Sequence, residues 1–350
     1  MVLWIEFRVS AASFGANSRI VVPAILQTIA LPTELPRREP HFTRNLAHRN
    51  RRETPNDLDH HVSRREQWSA RCWVRSKAET YTPAMPHEYI QRGTRSFEAQ
   101  LEERTASVNA AFLLPHLRSG MRVLDIGSGP GTITLGLAEA VAPGEVVGVD
   151  LQESMVERAH ALAAERRVAN VRFERADAYE LPFRNGSFDA ALEHHVLMHL
   201  ADPVRGLREV RRVLRPGGVL ALRDPDVATA VQWPMTPELE RFLELRMRAF
   251  ALQGTDGRAG RKHRQLLLEA GFERAATRLV TWGGGSPETL PSSVRFLLAQ
   301  LDGFRRIALE QGWLDRAKLD AIATDIRQWG ERPDAVTFTV ICETLGWVSA

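Results

Sequence analysis

Two patterns of apolar and polar positions alternate from about residue 118 onward. Short apolar runs, typical of buried strands, are separated by segments in which apolar residues recur every three or four positions, as in helices. The apolar runs predict strands at residues 122–125, 146–150, 171–176, 188–193 and 219–223. The helical spacing predicts helices at residues 97–117, 132–142 and 203–214. This order of elements predicts a doubly wound α/β fold with a parallel sheet.

The first predicted strand runs directly into a glycine-rich loop. Gly127, Gly129 and Gly131 follow it, and the helix behind them would bring its N-terminus to the same point. The dinucleotide fingerprint G-x-G-x-x-G requires glycine where this chain has Thr132, so an NAD site fits poorly. Asp125, just before the loop, suits a ligand with an ammonium group better than a pyrophosphate. The loop therefore predicts a nucleotide-type cofactor site other than NAD.

A second acid ends the next predicted strand. Asp150 lies 19 positions after Gly131, where its carboxylate can accept hydrogen bonds from both hydroxyls of a ribose. An acid at this place could instead cap the following helix. Ser154 and Glu157 already form a capping-box pattern for that helix. We therefore expect Asp150 to be available to a ligand.

Further motifs continue the series over residues 123–226. They are the strand and glycine loop at 123–131, the strand ends at Asp150 and at Asp177-Ala178, the Leu-Pro-Phe turn at 181–183, the Phe-Asp strand opener at 188–189, and the Leu-Arg-Pro-Gly-Gly turn at 214–218. This stretch resembles the class I S-adenosylmethionine-dependent methyltransferases. Residues 104–106, 113–115 and 195–203 look most like the type 11 subgroup, which is related to ubiquinone and menaquinone methyltransferases.

The resemblance implies an enzyme with S-adenosylmethionine as cofactor and a seven-stranded, Rossmann-like sheet. It also implies a C-terminal antiparallel hairpin, which we place at residues 275–282 and 336–342. Asp177 would contact the adenine amino group, although an acid at a strand end can also cap a turn. The candidate cofactor-binding residues are Asp125, Gly127, Ser128, Gly129, Gly131, Asp150, Leu151, Asp177, Ala178, Glu193 and His194.

The end of the fourth predicted strand carries the candidate for proton transfer. His195 would lie beside the cofactor's methyl group and accept a proton from the methyl acceptor, because imidazole titrates near neutral pH. Glu193 or His194 would help to fix the methionine end of the cofactor. The alternative for His195 is a helix-start or core histidine, and His199 is expected to be structural. The two cysteines, Cys72 and Cys342, predict neither a disulfide framework nor a metal site.

The methyltransferase core is expected at about residues 118–226 of a domain that covers residues 85–350. Two amphipathic segments, residues 236–253 and 287–330, are added to it and predict a helical lid. Their apolar stripes favour a lipophilic acceptor, although the same stripes would also serve to pack helices on a sheet. The chain has Glu193-His-His-Val where enzymes that methylate amino groups of DNA bases or glutamine amides have Asn/Asp-Pro-Pro-aromatic. A small organic acceptor is therefore preferred.

Residues 1–84 differ from the remainder of the chain. They mix proline, arginine and isolated tryptophan without sustained periodicity, which predicts a disordered extension. Two interpretations remain, a targeting or regulatory arm and an upstream start that replaces a true start at Met85. This segment holds 13 of the 46 basic and 8 of the 43 acidic side chains. Residues 85–350 therefore carry 33 basic and 35 acidic side chains, which is a net charge of −2. Binding of nucleic acid is therefore disfavoured.

Two other functions stay open on the sequence alone. One is methylation of a protein or RNA that docks on the arginine-rich arm, and the other is a catalytically silent S-adenosylmethionine-binding module. The longest apolar stretch, residues 20–31, is too short to span a bilayer and fits a signal peptide poorly, so a cytoplasmic location is expected. The sequence does not identify the acceptor atom, the natural substrate or the oligomeric state.

Overall fold

The computed structural model describes residues 101–350. The predicted extension at residues 1–84, the alternative start at Met85 and the first part of the predicted helix 97–117 lie outside the described residues. The domain boundary at Met85 therefore stays a prediction.

Eight strands form one sheet in the order β3-β2-β1-β4-β5-β8-β6, and β7 also pairs with β8. The strands are β1 Val123–Ile126, β2 Val146–Asp150, β3 Val171–Arg175, β4 Phe188–His194, β5 Leu214–Pro225, β6 Val231–Trp233, β7 Arg274–Gly284 and β8 Val336–Trp347. β1 to β5 are parallel, whereas β8 runs antiparallel to β5, β6 and β7. The doubly wound α/β fold and its antiparallel C-terminal hairpin are thus confirmed.

The sheet has one strand more than the seven that were predicted. β6 is three residues long and pairs only with the start of β8, beyond the point where β5 ends. A run this short has no periodicity that would separate it from a loop. β5 and β8 are also longer than their predicted apolar runs, because backbone pairing continues through Asp224 and Pro225.

Eight α-helices accompany these strands in the described part of the chain. They are α1 Ala106–Asn109, α2 Thr132–Val141, α3 Glu153–Arg166, α4 Pro203–Val213, α5 Pro237–Leu252, α6 Ala259–Glu269, α7 Leu290–Glu310 and α8 Arg316–Gly330. Alternate residues of the central strands face opposite layers. Val123, Ala190 and Ala221 pack with α1 and α2, whereas Leu124, Ala191 and Leu222 pack with α4 and α6. Burial on both faces explains why the parallel strands are almost wholly apolar.

Two local predictions are wrong. Within residues 101–117 the single predicted helix is replaced by α1 and a 3₁₀ turn at Leu114–His116. Pro115 disfavours helical backbone at the residue before it, so the apolar side chains reach the core from two short turns. The capping box of Ser154 and Glu157 does not form either, because α3 already begins at Glu153. Instead, the Asp150 carboxylate accepts a hydrogen bond of 2.9 Å from the N–H of Gln152, the residue before the helix.

The two added segments are helical, as their spacing predicts. Residues 236–253 contain α5, and residues 287–330 contain α7 and α8. These three helices share one hydrophobic cluster, which includes Leu245, Leu301 and Trp329, and we call it the helical layer. Its action as a lid stays a prediction. Among the helices of residues 101–350, none has the length and apolar character that crossing a bilayer requires.

Candidate active site

The glycine loop takes left-handed backbone at alternate positions. The φ angles of Gly127, Gly129 and Gly131 are 67°, 54° and 85°, a region that side chains with a Cβ rarely adopt. A Cβ at Gly127 would lie 2.4 Å from a methyl group of Val196, and one at Gly131 would lie 2.7 Å from the ring of Phe173. These two glycines are therefore needed for packing.

Gly129 differs from the other two glycines of the loop. No atom lies within 4 Å of the position that its Cβ would take, so its backbone faces open space. Its N–H donates to the Asp150 carboxylate at 3.0 Å. This bond joins the loop after β1 to the end of β2 and fixes the acid at the loop's mouth. Gly129 is thus the point where a ligand can approach the backbone closely.

Three acidic side chains lie at the ends of the neighbouring strands β2, β1 and β4. Asp150 is half-buried, and Asp125 and Glu193 are buried. Burial raises the pKa of Asp125 to about 7, although the Thr134 hydroxyl donates to it at 2.6 Å. Burial likewise raises the pKa of Asp150. The pKa of Glu193 is raised to about 8 by burial and then by the neighbouring Asp224 carboxylate. Neither oxygen of Glu193 has a hydrogen-bond partner in the described residues.

His194 is held in a row of polar side chains that crosses the sheet. The strand register aligns His194, Arg223, Glu343 and Arg278 on β4, β5, β8 and β7. Glu343 accepts from Arg223 at 2.9 Å and from Arg278 at 2.6 Å. Arg223 in turn contacts Nε2 of His194 at 3.1 Å. The buried ion pair therefore fixes the guanidinium that faces this histidine.

Two residues before β1 complete the surroundings of His194. Asn109 contacts Nε2 at 3.2 Å, and Arg104 contacts Nδ1 at 3.4 Å. Burial lowers the pKa of His194 well below its usual value, and the charges of Arg104 and Arg223 lower it further. The ring is therefore neutral. Both of its nitrogens face donor groups, and a neutral imidazole can accept at only one of them.

His195 is held in a conformation that few residues other than glycine adopt. Its φ is 59°, and its N–H donates to the Arg223 carbonyl at 2.8 Å. Its ring stacks on that of His194 with 4.2 Å between centroids, and Nδ1 lies 3.5 Å from Arg104. Nε2 is buried without a hydrogen-bond partner in the described residues. Burial lowers the pKa of His195 well below its usual value, and the neighbouring His194 and the charge of Arg104 lower it further.

The other predicted cofactor residues occupy three different settings. The Ser128 hydroxyl is buried without a partner in the described chain, and Leu151 is 47% exposed. Asp177 is exposed at the end of β3 and accepts the Tyr179 N–H at 2.9 Å, so it does cap a turn. Ala178 packs partly buried against the core. The contact of Asp177 with adenine stays a prediction.

The structure adds residues to the site that the sequence analysis did not assign. Arg104 lies in the stretch that carries the subgroup resemblance, yet nothing in its spacing indicates the contact with histidines 90 positions later. Arg223 lies within a predicted strand, but its partner Glu343 is 120 positions away. Within residues 101–350, no group of histidine, cysteine and acidic side chains is arranged to hold a metal ion.

Comparison with known proteins places this site in a family. The methyltransferase domain family matches residues 117–257. An uncharacterized methyltransferase of Schizosaccharomyces pombe, C1B3.06c, is 33% identical over 210 residues, which are 57% of this chain and 75% of that protein. The chain belongs to the methyltransferases. The predicted resemblance is confirmed, and with it an enzyme whose cofactor is S-adenosylmethionine.

Other similar proteins include enzymes with named acceptors. The 27-O-demethylrifamycin SV methyltransferase of Amycolatopsis mediterranei is 33% identical, over 67% of this chain and 82% of its own. A demethylmenaquinone methyltransferase of Lactococcus lactis is 40% identical, over 29% of this chain and 40% of its own. The crystal structure of YcgJ from Bacillus subtilis aligns with a TM-score of 0.46 and 21% identity, covering 69% of this chain and 98% of that one.

The residues present fit the cofactor of this methyltransferase. S-adenosylmethionine carries a sulfonium and an ammonium group, and the site holds buried carboxyl groups whose raised pKa values mark a shortage of nearby positive charge. The open side of Gly129 provides room for close approach to the backbone. Charge and shape are therefore both suited to a cationic nucleoside.

Asp125→Asn should make the stability of the ligand-free enzyme less dependent on pH. The folded protein holds the Asp125 proton up to about pH 7, whereas the unfolded chain releases it near pH 3.8. The stabilisation by this group is therefore complete below pH 3.8 and is lost as pH rises through about 7. Urea unfolding at pH 5 and pH 8 should show the wild type losing stability relative to Asp125→Asn, by up to a few kcal/mol. If the stabilities of the wild type and Asp125→Asn changed with pH in parallel, the raised pKa of Asp125 would be contradicted.

Alanine at Gly129 and at Gly131 should have different effects. Both substitutions place a Cβ on left-handed backbone, at a cost of about 1–2 kcal/mol. Only Gly131→Ala also drives the Cβ to 2.7 Å from Phe173 and 3.0 Å from Ala159, so it should unfold at lower urea concentration. Gly129→Ala should mainly weaken binding of S-adenosylhomocysteine, measured by calorimetry. The distinction would be refuted if the two variants lost equal stability and Gly129→Ala bound S-adenosylhomocysteine as tightly as the wild type.

Proposed function

We propose that the enzyme transfers the methyl group of S-adenosylmethionine to a small, lipophilic organic acceptor. The observation that carries this proposal is the contact of the helical layer with the end of the sheet. The ring of Phe250 on α5 stacks on His199 with 6.0 Å between centroids. His199 ends the 3₁₀ turn Leu197–His199, which begins two residues after His195. An acceptor at His195 would therefore meet an apolar helix. Two relatives are named for small organic acceptors, demethylrifamycin and demethylmenaquinone.

The cofactor-binding roles follow from the positions of the acids. Asp150 would accept from the ribose hydroxyls, Asp125 and Glu193 would compensate the positive charges of the methionine end, and Asp177 would meet the adenine amino group. Ser128, Leu151 and Ala178 would line the same edge. When bound, S-adenosylmethionine supplies an activated methyl group, so the chain's own residues mainly exclude water and align the acceptor for displacement.

His195 is the proposed proton acceptor for a hydroxyl or an activated carbon. Its lowered pKa keeps the imidazole neutral at pH 7, which is the form that accepts a proton. The charge of Arg104, 3.5 Å from Nδ1, weakens the imidazole as a base, but it also favours the ionised form of an acceptor nearby. His195 is thus suited to acceptors that are themselves acidic, such as phenols and enols.

A methyl-transfer screen tests the acceptor class. The full chain, with S-adenosylmethionine labelled in its methyl group, is offered a lipophilic extract and, separately, protein and RNA fractions of the same cells. Label should enter material that partitions into organic solvent. Label in protein or RNA alone would instead support the macromolecular acceptor, and binding of S-adenosylmethionine without any transfer would support the silent module.

His195→Gln should retain cofactor affinity and lower turnover roughly 10²–10⁴-fold, the usual effect of losing a general base. Because the pKa of His195 is lowered, the wild-type rate should be level above about pH 6.5 and fall only at more acidic pH. His195→Asn is the second variant, since asparagine tolerates the left-handed backbone better. His116→Gln, on an exposed histidine, is the control. Unchanged turnover in both variants would leave His195 a packing residue.

A further inference from the structure

Arg246 on α5 is buried, with an exposure of 4%, and has no counter-ion among residues 101–350. Its Nε has no hydrogen-bond partner, and none of the ion pairs of residues 101–350 includes it. The other arginines of this helix behave differently. Arg241 is exposed and paired with Glu238, and Arg248 is exposed and lies over the ring of Trp313 at 4.4 Å. Arg246 is therefore set apart from the solvated face of its helix.

The fold does not compensate the charge of Arg246. Burial lowers the pKa of its guanidinium to about 10, which leaves the group charged at neutral pH. Its one described interaction is with the ring of Phe242, 5.6 Å from the guanidinium carbon. A cation–π contact recovers only part of the free energy that the desolvation of a buried ion costs. The net free energy of burying Arg246 is therefore unfavourable unless a further group binds its guanidinium.

Its place on α5 connects Arg246 with the candidate active site. Phe242, Arg246 and Phe250 are spaced by four residues and so form one stripe along the helix. Phe250 at one end of the stripe stacks on His199 in the turn after β4. One helical turn, about 5.4 Å, separates Arg246 from this contact. A molecule that occupies the site at His195 and extends along α5 would meet the stripe.

The other helices of the helical layer also carry buried polar atoms without partners. Among residues 101–350 these include Oε1 of Gln300 on α7 and Nε1 of Trp329 on α8. Trp329 belongs to the same hydrophobic cluster as the apolar side of α5. A buried polar atom without a partner destabilises a fold. With Nε of Arg246, each of the three helices of the helical layer thus carries one such atom.

We propose that Arg246 binds a carboxylate of the methyl acceptor, so that the enzyme selects a lipophilic organic acid. This inference rests on the proposed function and specifies its substrate class. The planar guanidinium fork matches a carboxylate with two parallel hydrogen bonds. A doubly charged phosphate would leave one charge uncompensated, because Arg223, the other buried arginine of residues 101–350, is already paired with Glu343. The ring of Phe242 suits an aromatic or otherwise apolar skeleton beside the acid.

Matched pairs of acids and amides test this proposal in the full-length enzyme saturated with S-adenosylhomocysteine. The probes are benzoate, 4-hydroxybenzoate and indole-3-acetate, each compared with its primary amide by thermal shift and calorimetry. Wild type and the control Arg241→Gln should prefer the acids. Arg246→Met should bind the acids about 10- to 100-fold more weakly, the loss expected for a charge-assisted pair. Arg246→Lys, which keeps the charge but lacks the fork, should fall between them.

Stability of the free enzyme provides a second readout. Arg246→Met removes a buried charge without a partner, so its melting temperature should equal or exceed that of the wild type. Three results would each overturn the proposal: no preference for acids in the wild type, the same preference in Arg246→Met, or a Met variant that melts lower or fails to fold. Methyl transfer to neutral acceptors without a preference for acids would defeat only this inference. The absence of transfer to any small molecule would defeat the proposed function itself.

Discussion

Two acidic side chains at the carboxyl end of the sheet, Asp125 and Glu193, are buried, and the neighbouring Asp150 is half-buried. Within residues 101–350, none of the three forms an ion pair. β2, β1 and β4 are neighbours, so the parallel arrangement brings Asp150, Asp125 and Glu193 to one edge. Burial raises the pKa of each. A sheet that served packing alone would have apolar residues here, because buried carboxyl groups cost free energy. The cost is understandable if the sulfonium and ammonium groups of the cofactor compensate Asp125 and Glu193, while Asp150, which the Gly129 N–H orients, would meet the ribose.

The parts of this fold that could be predicted are those that local pattern controls. Strands buried on both faces must be apolar, so the five parallel strands are visible as apolar runs, and the amphipathic spacing revealed α5, α7 and α8. β6 and the break within residues 101–117 were not predicted. A strand of three residues has almost no periodicity, and neither has a short turn that contains a proline. The glycine loop was found from spacing, but only the surroundings of each glycine separate the open Gly129 from the packed Gly131.

Sequence could not reveal the charges around the histidines, since they depend on strand register. Arg223 is directed at His194 by Glu343, which lies on the last strand. The same edge of the sheet is thus divided into two electrostatic regions, with acids around the glycine loop and guanidinium groups around the histidines. Such a division suits a reaction between a cationic donor and an acceptor that becomes anionic. It also means that proton removal need not rely on a strong base, because Arg104 and Arg223 would lower the pKa of an acceptor beside them.

The helical layer also holds a buried guanidinium group, that of Arg246 on α5. Its helices were predicted from apolar stripes, and those stripes do pack together, so hydrophobic burial explains their position. It does not explain why α5 holds a charged Arg246 in its buried stripe, where methionine or leucine would pack without a desolvation cost. The chemistry of methyl transfer needs no such group at this distance from the sheet edge. A charge retained there at the expense of stability is consistent with the proposed recognition of the acceptor, whose far end would lie against α5 while its reactive atom would lie at His195.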